Sequence, residues 1–208
     1  MSEKLVFYTN PMSRGQIARW MLEETGAEYE QVIIEYGEQM KSVAYLTINP
    51  MGKVPAIQHG DHVVTECAAI CAYLADAFPQ QQLAPPKSER ADYYRWLFFA
   101  AGPLEAAITN RSLGVKVPDD QERMAGYGNY DLTISVLRDL FASRNFVCGD
   151  EFSAADVYLG SHIDFGMQFG TLEANPEFEA YAARFRERPA YIKARQIDGE
   201  LIAAAQQS

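Results

Sequence analysis

Cysteine is scarce in this sequence: Cys67, Cys71 and Cys148 are the only thiols in 208 residues, and no two form a Cys-x-x-Cys pair. That spacing excludes a disulfide framework and leaves reduced thiols in a cytoplasmic setting as the expectation. Histidine is equally rare, and His59 and His62 merely flank a Gly-Asp turn, a spacing that does not suit a metal site. No apolar run reaches the roughly 18 residues that a membrane-crossing helix needs. The opening "MSEKLVFY" lacks the long apolar core and small-residue cleavage site of a signal peptide, so export is not expected. Positive charge is short too, with 18 Lys and Arg against 28 Asp and Glu, a formal net charge of −10. The deficit is evenly spread, because residues 1–78 already hold five basic against ten acidic side chains and no basic tail hides in the average. This balance argues against nucleic acid and anionic membrane surfaces as partners. An anionic ligand would need a few well-placed cations or helix ends.

What the sequence does have is an ordinary globular composition, 48% apolar and 22% charged, and enough length for one large domain or two small ones. Residues 1–78 alternate element types. "KLVFYT" reads as a strand, followed by a helix with Ile17, Trp20, Met21 and Leu22 on its apolar side and Gly26 as its stop. "YEQVIIEY" reads as a second strand, and "EQMKSVAYL" as a short irregular helix. "VPAIQHG" and "HVVTE" form a hairpin around Gly60-Asp61, and "CAAICAYLADAF" closes the segment as a helix. This order predicts a small mixed four-stranded sheet with helices on its faces. "PQQQLAPPKSE" reads as a linker, placed at 79–88. Beyond it no strand is convincing, and helical patterns cover roughly 88–112, 119–143, 153–169, 176–187 and 190–205. The expected organisation is α/β over 1–78 followed by all-α over 89–208.

Three short stretches carry chemistry. In "NPMSRG", Ser13 stands where a strand ends and a helix begins; it either caps that helix or also holds an anion at the helix's positive end. In "NPMGKVP", Pro55 confines Val54 to extended geometry. It either ends an edge strand or, if the bond is cis, turns the Val54 backbone outward to pair with a peptide-like ligand. In "TECAAI", Glu66 and Cys67 open a helix whose N-terminus favours a carboxylate, while Glu66 can accept from an ammonium group; a plain cap by Thr65 or Glu66 is the alternative. Ser153 and Asp156 fit a capping box that stabilises a buried helix start.

In this order, with a Pro-rich link and helical segment behind them, the stretches "YTNPMSRGQIARWMLEE", "NPMGKVPAI" and "TECAAICAYL" resemble a cytosolic glutathione transferase. "FSAADVYLG" and "RFRERPAYIKA" resemble that family's helix-capping and closing stretches, so the likeness spans nearly the whole chain. It is closest to the serine-type, bacterial-like members. The resemblance implies a thioredoxin-like domain that binds glutathione and a helical domain that supplies the pocket for a small electrophile, in a cytoplasmic homodimer that serves detoxification. It also implies that Ser13 is the catalytic hydroxyl, since Tyr8 lies further back in the strand and no thiol stands near the turn.

On that reading Lys53 and Lys41 are the cations for the glycine carboxylate of glutathione. The Val54-Pro55 corner pairs with its backbone, and Glu66 and Cys67 hold its γ-glutamyl head. Met12, Phe98 and Phe99 line the electrophile pocket, and no metal takes part. Cys67 departs from the serine usual at its position, which removes a hydroxyl hydrogen bond or replaces it with a weak S–H donor. Two other functions use the same parts: glutathione-dependent reduction of peroxides or disulfides, and a non-catalytic protein-binding module.

Overall fold

A computed structural model describes residues 3–207, and these divide into two compact units, one formed by residues up to Gln81 together with those from Glu187 on, the other by Gln82–Arg186. The first unit begins with β1 (Leu5–Thr9), α1 (Gly15–Thr25) and β2 (Glu30–Ile33), a parallel crossover in which Val6 pairs with Glu30 and Thr9 with Ile33. A 3₁₀ turn (Gln39–Lys41) and the single turn α2 (Val43–Leu46) follow, matching the irregular helix expected there. The hairpin β3 (Ala56–His59) and β4 (His62–Thr65) then leads into α3 (Cys67–Ala77). The sheet order is β2-β1-β3-β4, with β1–β3 and β3–β4 antiparallel, a mixed four-stranded sheet of thioredoxin-like layout.

Leu5, Val6 and Phe7 of β1 and Ile57 of β3 are buried, as are Ile17, Met21 and Leu22 of α1 and Ile70, Cys71 and Leu74 of α3. Each large apolar side chain so buried contributes about 1.5–3 kcal/mol. The register carries the consequence for function. Tyr8 faces Ala56, and Ala56 faces Thr65, so the end of β1, Pro55 and Glu66 meet at one end of the sheet.

The second unit holds α4 (Ala91–Phe99), a π turn (Ala100–Leu104), α5 (Glu105–Ser112), α6 (Tyr130–Ser143), α7 (Ala154–Gln168) and α8 (Pro176–Arg186). The π turn lies where Pro103, lacking an N–H, would break a regular helix. The helix expected over 119–143 begins only at Tyr130. Asp119–Met124 is 3₁₀, Gly128 has a φ of 67°, and the Asn129 side chain caps α6 by accepting the Leu132 N–H at 2.8 Å. α7 is nearly all buried, and Asp156 in its first turn accepts from the N–H and the hydroxyl of Ser153, both at 2.9 Å. The last helix, α9 (Pro189–Ala205), packs on α1 and groups with the first unit, whereas the sequence pattern had placed it with the helical segment before it. Among the described residues no helix is long and apolar enough to cross a membrane.

Candidate functional site

The chain leaves β1 at Thr9 and turns through Asn10-Pro11 into α1. Asn10 is buried and spends both ends of its amide on the turn. Nδ2 donates to the Ile34 carbonyl at 3.1 Å and Oδ1 accepts the Met12 N–H at 3.0 Å. Ser13 closes the turn: its N–H donates to the Asn10 carbonyl at 3.1 Å, its hydroxyl donates to the same oxygen at 2.7 Å, and Oγ accepts the Gly15 N–H at 2.9 Å. The hydroxyl is half-buried and lies against the Gly15 N–H that opens α1, where the helix's positive end concentrates. Capping is therefore part of what Ser13 does. Its single proton points to Asn10, and any acceptor brought alongside must compete for it.

The approach of α1 to β1 at this point depends on Gly15. A Cβ there would lie 2.0 Å from Thr9 Oγ1 and 3.2 Å from the Asn10 carbonyl. Only a residue without a side chain fits.

The second element is the corner before β3. Asn49 and Met51 repeat the Asn10–Met12 arrangement, with the Met51 N–H donating to Asn49 Oδ1 at 3.0 Å. Asn49 Nδ2 and the Tyr45 hydroxyl both donate to the Lys53 carbonyl, at 2.8 and 2.7 Å. Burial pushes the Tyr45 phenol up to about 12, with the Tyr8 hydroxyl adding to the rise, so it stays a donor at neutral pH. The Val54–Pro55 bond is cis. Among the described residues, the Val54 N–H and C=O make no hydrogen bond. Lys53 is exposed, and Lys41 Nζ donates to the carbonyls of Met51 and Gly52, both at 2.9 Å, which leaves one of its three donors for a ligand.

The third element is the start of α3. Glu66 has φ 62° and ψ 117°, a conformation that costs a non-glycine residue about 1–3 kcal/mol, and its exposed carboxylate makes no capping bond to α3. Cys67 is buried and its Sγ lies 3.6 Å from the Arg14 carbonyl, so the first turns of α1 and α3 touch. Burial, with Cys67 beside it, pushes the Cys71 thiol well up. Tyr8 is engaged within the sheet, its hydroxyl donating to Gln58 Oε1 at 3.3 Å.

The structure thus gathers Ser13, Arg14, Val54, Pro55, Glu66 and Cys67 at one end of the sheet, with Lys41 in the 3₁₀ turn and Lys53 on the loop before Pro55. Met12 is 62% exposed beside Ser13. Phe98, 73% exposed, and Phe99, edge-on to Trp96 at 5.3 Å, belong to α4 of the second unit. Sequence reasoning passed over Asn10, Gly15, Tyr45 and Asn49. The doubled "NPM" at 10–12 and 49–51 was a readable signal for the two asparagine-closed turns. Among the described residues, no group of three or more His, Cys, Asp or Glu side chains could hold a metal ion.

Residues 3–76 match the N-terminal domain model of glutathione S-transferases. Glutathione S-transferase A of Pleuronectes platessa is 31% identical over 170 residues, covering 77% of this chain and 75% of that protein. The chain belongs to the glutathione S-transferase family. Solved members agree with this along almost the whole length. A glutathione transferase from Methylococcus capsulatus superposes with a TM-score of 0.77 at 27% identity, covering 94% of this chain and 98% of that one. A sphingomonad glutathione S-transferase complexed with glutathione gives a TM-score of 0.74 at 28% identity, covering 93% and 98%. As a glutathione S-transferase the protein is an enzyme, and its first unit carries the family's thioredoxin-like sheet.

Proposed function

We propose that this glutathione S-transferase binds glutathione at the sheet end formed by β1, Pro55 and Glu66, and adds its thiolate to an electrophilic, partly apolar small molecule. The observation that carries the reading is Ser13 Oγ, 2.9 Å from the Gly15 N–H at the head of α1, next to the α3 start that Cys67 ties to Arg14. The sphingomonad relative's bound glutathione supports the choice of ligand.

In this reading the Val54 N–H and C=O pair with the ligand's central residue, as a strand adds to an open edge. Lys53, with the remaining donor of Lys41, meets the glycine carboxylate. Glu66 takes the γ-glutamyl ammonium, and the Cys67 N–H at the head of α3 takes its carboxylate. The sulfur then lies beside Ser13. A thiol of ordinary pKa, about 8.5, is only a few per cent ionised near neutrality. Lowering it by about two units takes roughly 2.7 kcal/mol of preference for the anion. Ser13 supplies part of this by turning its proton from the Asn10 carbonyl to the sulfur, while α1's N–H groups and Arg14 add positive potential. Ser13 donates a hydrogen bond and does not act as a nucleophile. Met12, Phe98 and Phe99 are proposed to face the electrophile, and a cytoplasmic, homodimeric detoxification enzyme is the setting we propose.

Calorimetric titration with glutathione, followed by conjugation and peroxide-reduction assays on the native enzyme and Ser13→Ala, tests the reading. Ser13→Ala is expected to bind glutathione within about threefold of the native enzyme. The pH at which conjugation reaches half its maximum should rise by about one to two units. An unchanged pH–rate profile removes the role given to Ser13. Peroxide turnover without conjugation replaces the reaction class while keeping the site.

A further inference from the structure

Thr9, the last residue of β1, carries a polar group that nothing described so far uses. Its backbone is fixed: it pairs with Ile33 across the sheet, and its carbonyl accepts the Ile34 N–H at 2.8 Å. Its side chain is fully buried, and among the described residues its hydroxyl oxygen has no hydrogen-bond partner. A buried hydroxyl left in this state is costly and rare. We infer that Thr9 is a positioning residue for thiolate formation: its hydroxyl donates into the gap between the Asn10 carbonyl and Ser13 Oγ when the Ser13 proton turns to the sulfur. The inference rests on the glutathione-conjugating reading above and adds to it a residue on which Ser13 depends.

Gly15 shows how close the three oxygens come. A Cβ on Gly15 would stand 2.0 Å from Thr9 Oγ1, 3.0 Å from Ser13 Oγ and 3.2 Å from the Asn10 carbonyl oxygen. Thr9 Oγ1 therefore packs directly on the head of α1, on the same side of Gly15 as the two oxygens of the turn. The frame around it is rigid. Asn10 is tied at both ends of its amide, to Ile34 and to Met12, and its carbonyl is held by the Ser13 N–H at 3.1 Å. Within this frame the mobile parts are hydroxyl protons, each of which turns about a single C–O bond.

A second proton is needed because of what the first one leaves behind. Ser13 Oγ and the Asn10 carbonyl oxygen stand 2.7 Å apart with the serine proton between them. The same carbonyl accepts the Ser13 N–H, so both its lone pairs are taken and it has none to offer Thr9. Turning the serine proton to a sulfur leaves two oxygens face to face at that distance with no hydrogen between them. Their repulsion opposes the orientation that the thiolate needs. A Thr9 proton entering the gap relieves it. Donated to Ser13 Oγ, that proton also polarises the serine O–H and strengthens its bond to the anion, as successive hydrogen bonds in a chain do. Sealed from solvent, Thr9 acts on the sulfur through Ser13, and no covalent bond is made or broken.

The ultraviolet absorbance of the bound thiolate, titrated against pH, reads this role directly. Thr9→Val and Thr9→Ala differ in bulk beside Gly15, but both lack the hydroxyl. Each should raise the pKa of bound glutathione by about half a unit, leaving about threefold less thiolate on the acid side of the transition. The Kd for glutathione at acid pH, where the thiol is bound un-ionised, should stay within about twofold of native. Thr9→Ser should restore the native titration. In a Ser13→Ala background, removing the Thr9 hydroxyl should move the pKa no further. A Thr9 that is merely structural would change resistance to urea without moving the titration, or would move it equally with and without Ser13, and either result overturns the inference. If Ser13→Ala raises the pKa while both Thr9 variants titrate like the native enzyme, the glutathione reading stands and this inference falls. If the native enzyme binds no glutathione, or Ser13→Ala titrates like it, both fall.

Discussion

Arg19 Nε donates to Asp198 Oδ1 at 2.8 Å, and both side chains are sealed from solvent although 179 residues separate them in the chain. The guanidinium also donates to the Tyr29 hydroxyl at 3.0 Å and lies 5.2 Å from the centre of the Phe7 ring. Burial pushes the Asp198 carboxyl up, and Arg19 pulls the other way without cancelling it. Among the described residues, Arg19 Nη2 and Asp198 Oδ2 have no hydrogen-bond partner, so the pair is closed but not fully satisfied. Such a pair adds little to stability compared with apolar replacements, yet breaking it leaves a bare charge inside.

Asp198→Ala should therefore lower the unfolding free energy by about 3–5 kcal/mol, while the double change Arg19→Met with Asp198→Leu should return most of that loss. Urea denaturation of both variants measures the difference. Hydrogen exchange should rise first in α9, whose hold on α1 the pair completes.

Gly15 gives a second prediction, on packing. Gly15→Ala puts a methyl 2.0 Å from Thr9 Oγ1, and Thr9 is itself fully buried. Overpacking of this kind costs about 1–3 kcal/mol. Thr9 Oγ1 has no hydrogen-bond partner among the described residues, so removing it should sacrifice little. Thr9→Ala combined with Gly15→Ala should thus be more stable than Gly15→Ala alone, a coupling that a double-mutant cycle in urea would read directly. Additive losses would place the strain elsewhere.

Asp156 links stability to pH. Burial pushes its carboxyl up to about 6, although it accepts from the Val147 N–H at 2.8 Å and from the Tyr181 hydroxyl at 2.9 Å besides the two Ser153 groups, all of which favour the anion. Between the ordinary value of 3.8 and about 6 the folded protein keeps a proton that the unfolded chain has released. The contribution is complete below pH 3.8 and disappears as pH rises through about 6, a fall of about 3 kcal/mol for this group. Asp156→Asn cannot titrate and should flatten the stability curve between pH 4 and 6. It should also be less stable at pH 7, since its amide nitrogen must face one set of donors. Parallel curves for the two proteins would remove the assignment to Asp156.

Much of this molecule was readable from local pattern. β1, α1, the β3–β4 hairpin and α3 were legible because alternating or helix-spaced apolar residues end at Gly26, Gly60-Asp61 and Pro79. Boundaries were less so. "YEQVIIEY" yields a strand only over Glu30–Ile33, because the Asn10 side chain takes the Ile34 carbonyl and Gln39 Oε1 takes the Glu35 N–H. The start of α6 was misplaced because the glycines and Asn129 that delay it lie inside an otherwise helical composition. Ser13, Val54-Pro55 and Glu66-Cys67 could be picked out as short motifs. The crowding at Gly15 could not, since it depends on how closely the turn brings α1 to Thr9, and neither could the Arg19–Asp198 pair or the packing of α9 on α1, which join residues distant in sequence.

Cys67 is where the resemblance and the residue disagree, and it makes the last prediction. The resemblance implies a serine after the glutamate that opens α3, and here the thiol lies 3.6 Å from the Arg14 carbonyl and beside Cys71. A thiol is a weak donor, so little would be lost from glutathione binding in Cys67→Ala, about threefold or less in Kd. Cys67→Ser supplies a hydroxyl that can donate to the γ-glutamyl carboxylate. One such bond contributes about 1 kcal/mol, or about fivefold tighter binding. Calorimetry on the two variants separates the possibilities: tighter binding by the serine protein and near-native binding by the alanine protein put the carboxylate at the head of α3. If the serine protein binds no better than the native one, the carboxylate lies elsewhere, and the contact between α3 and Arg14 is structural alone.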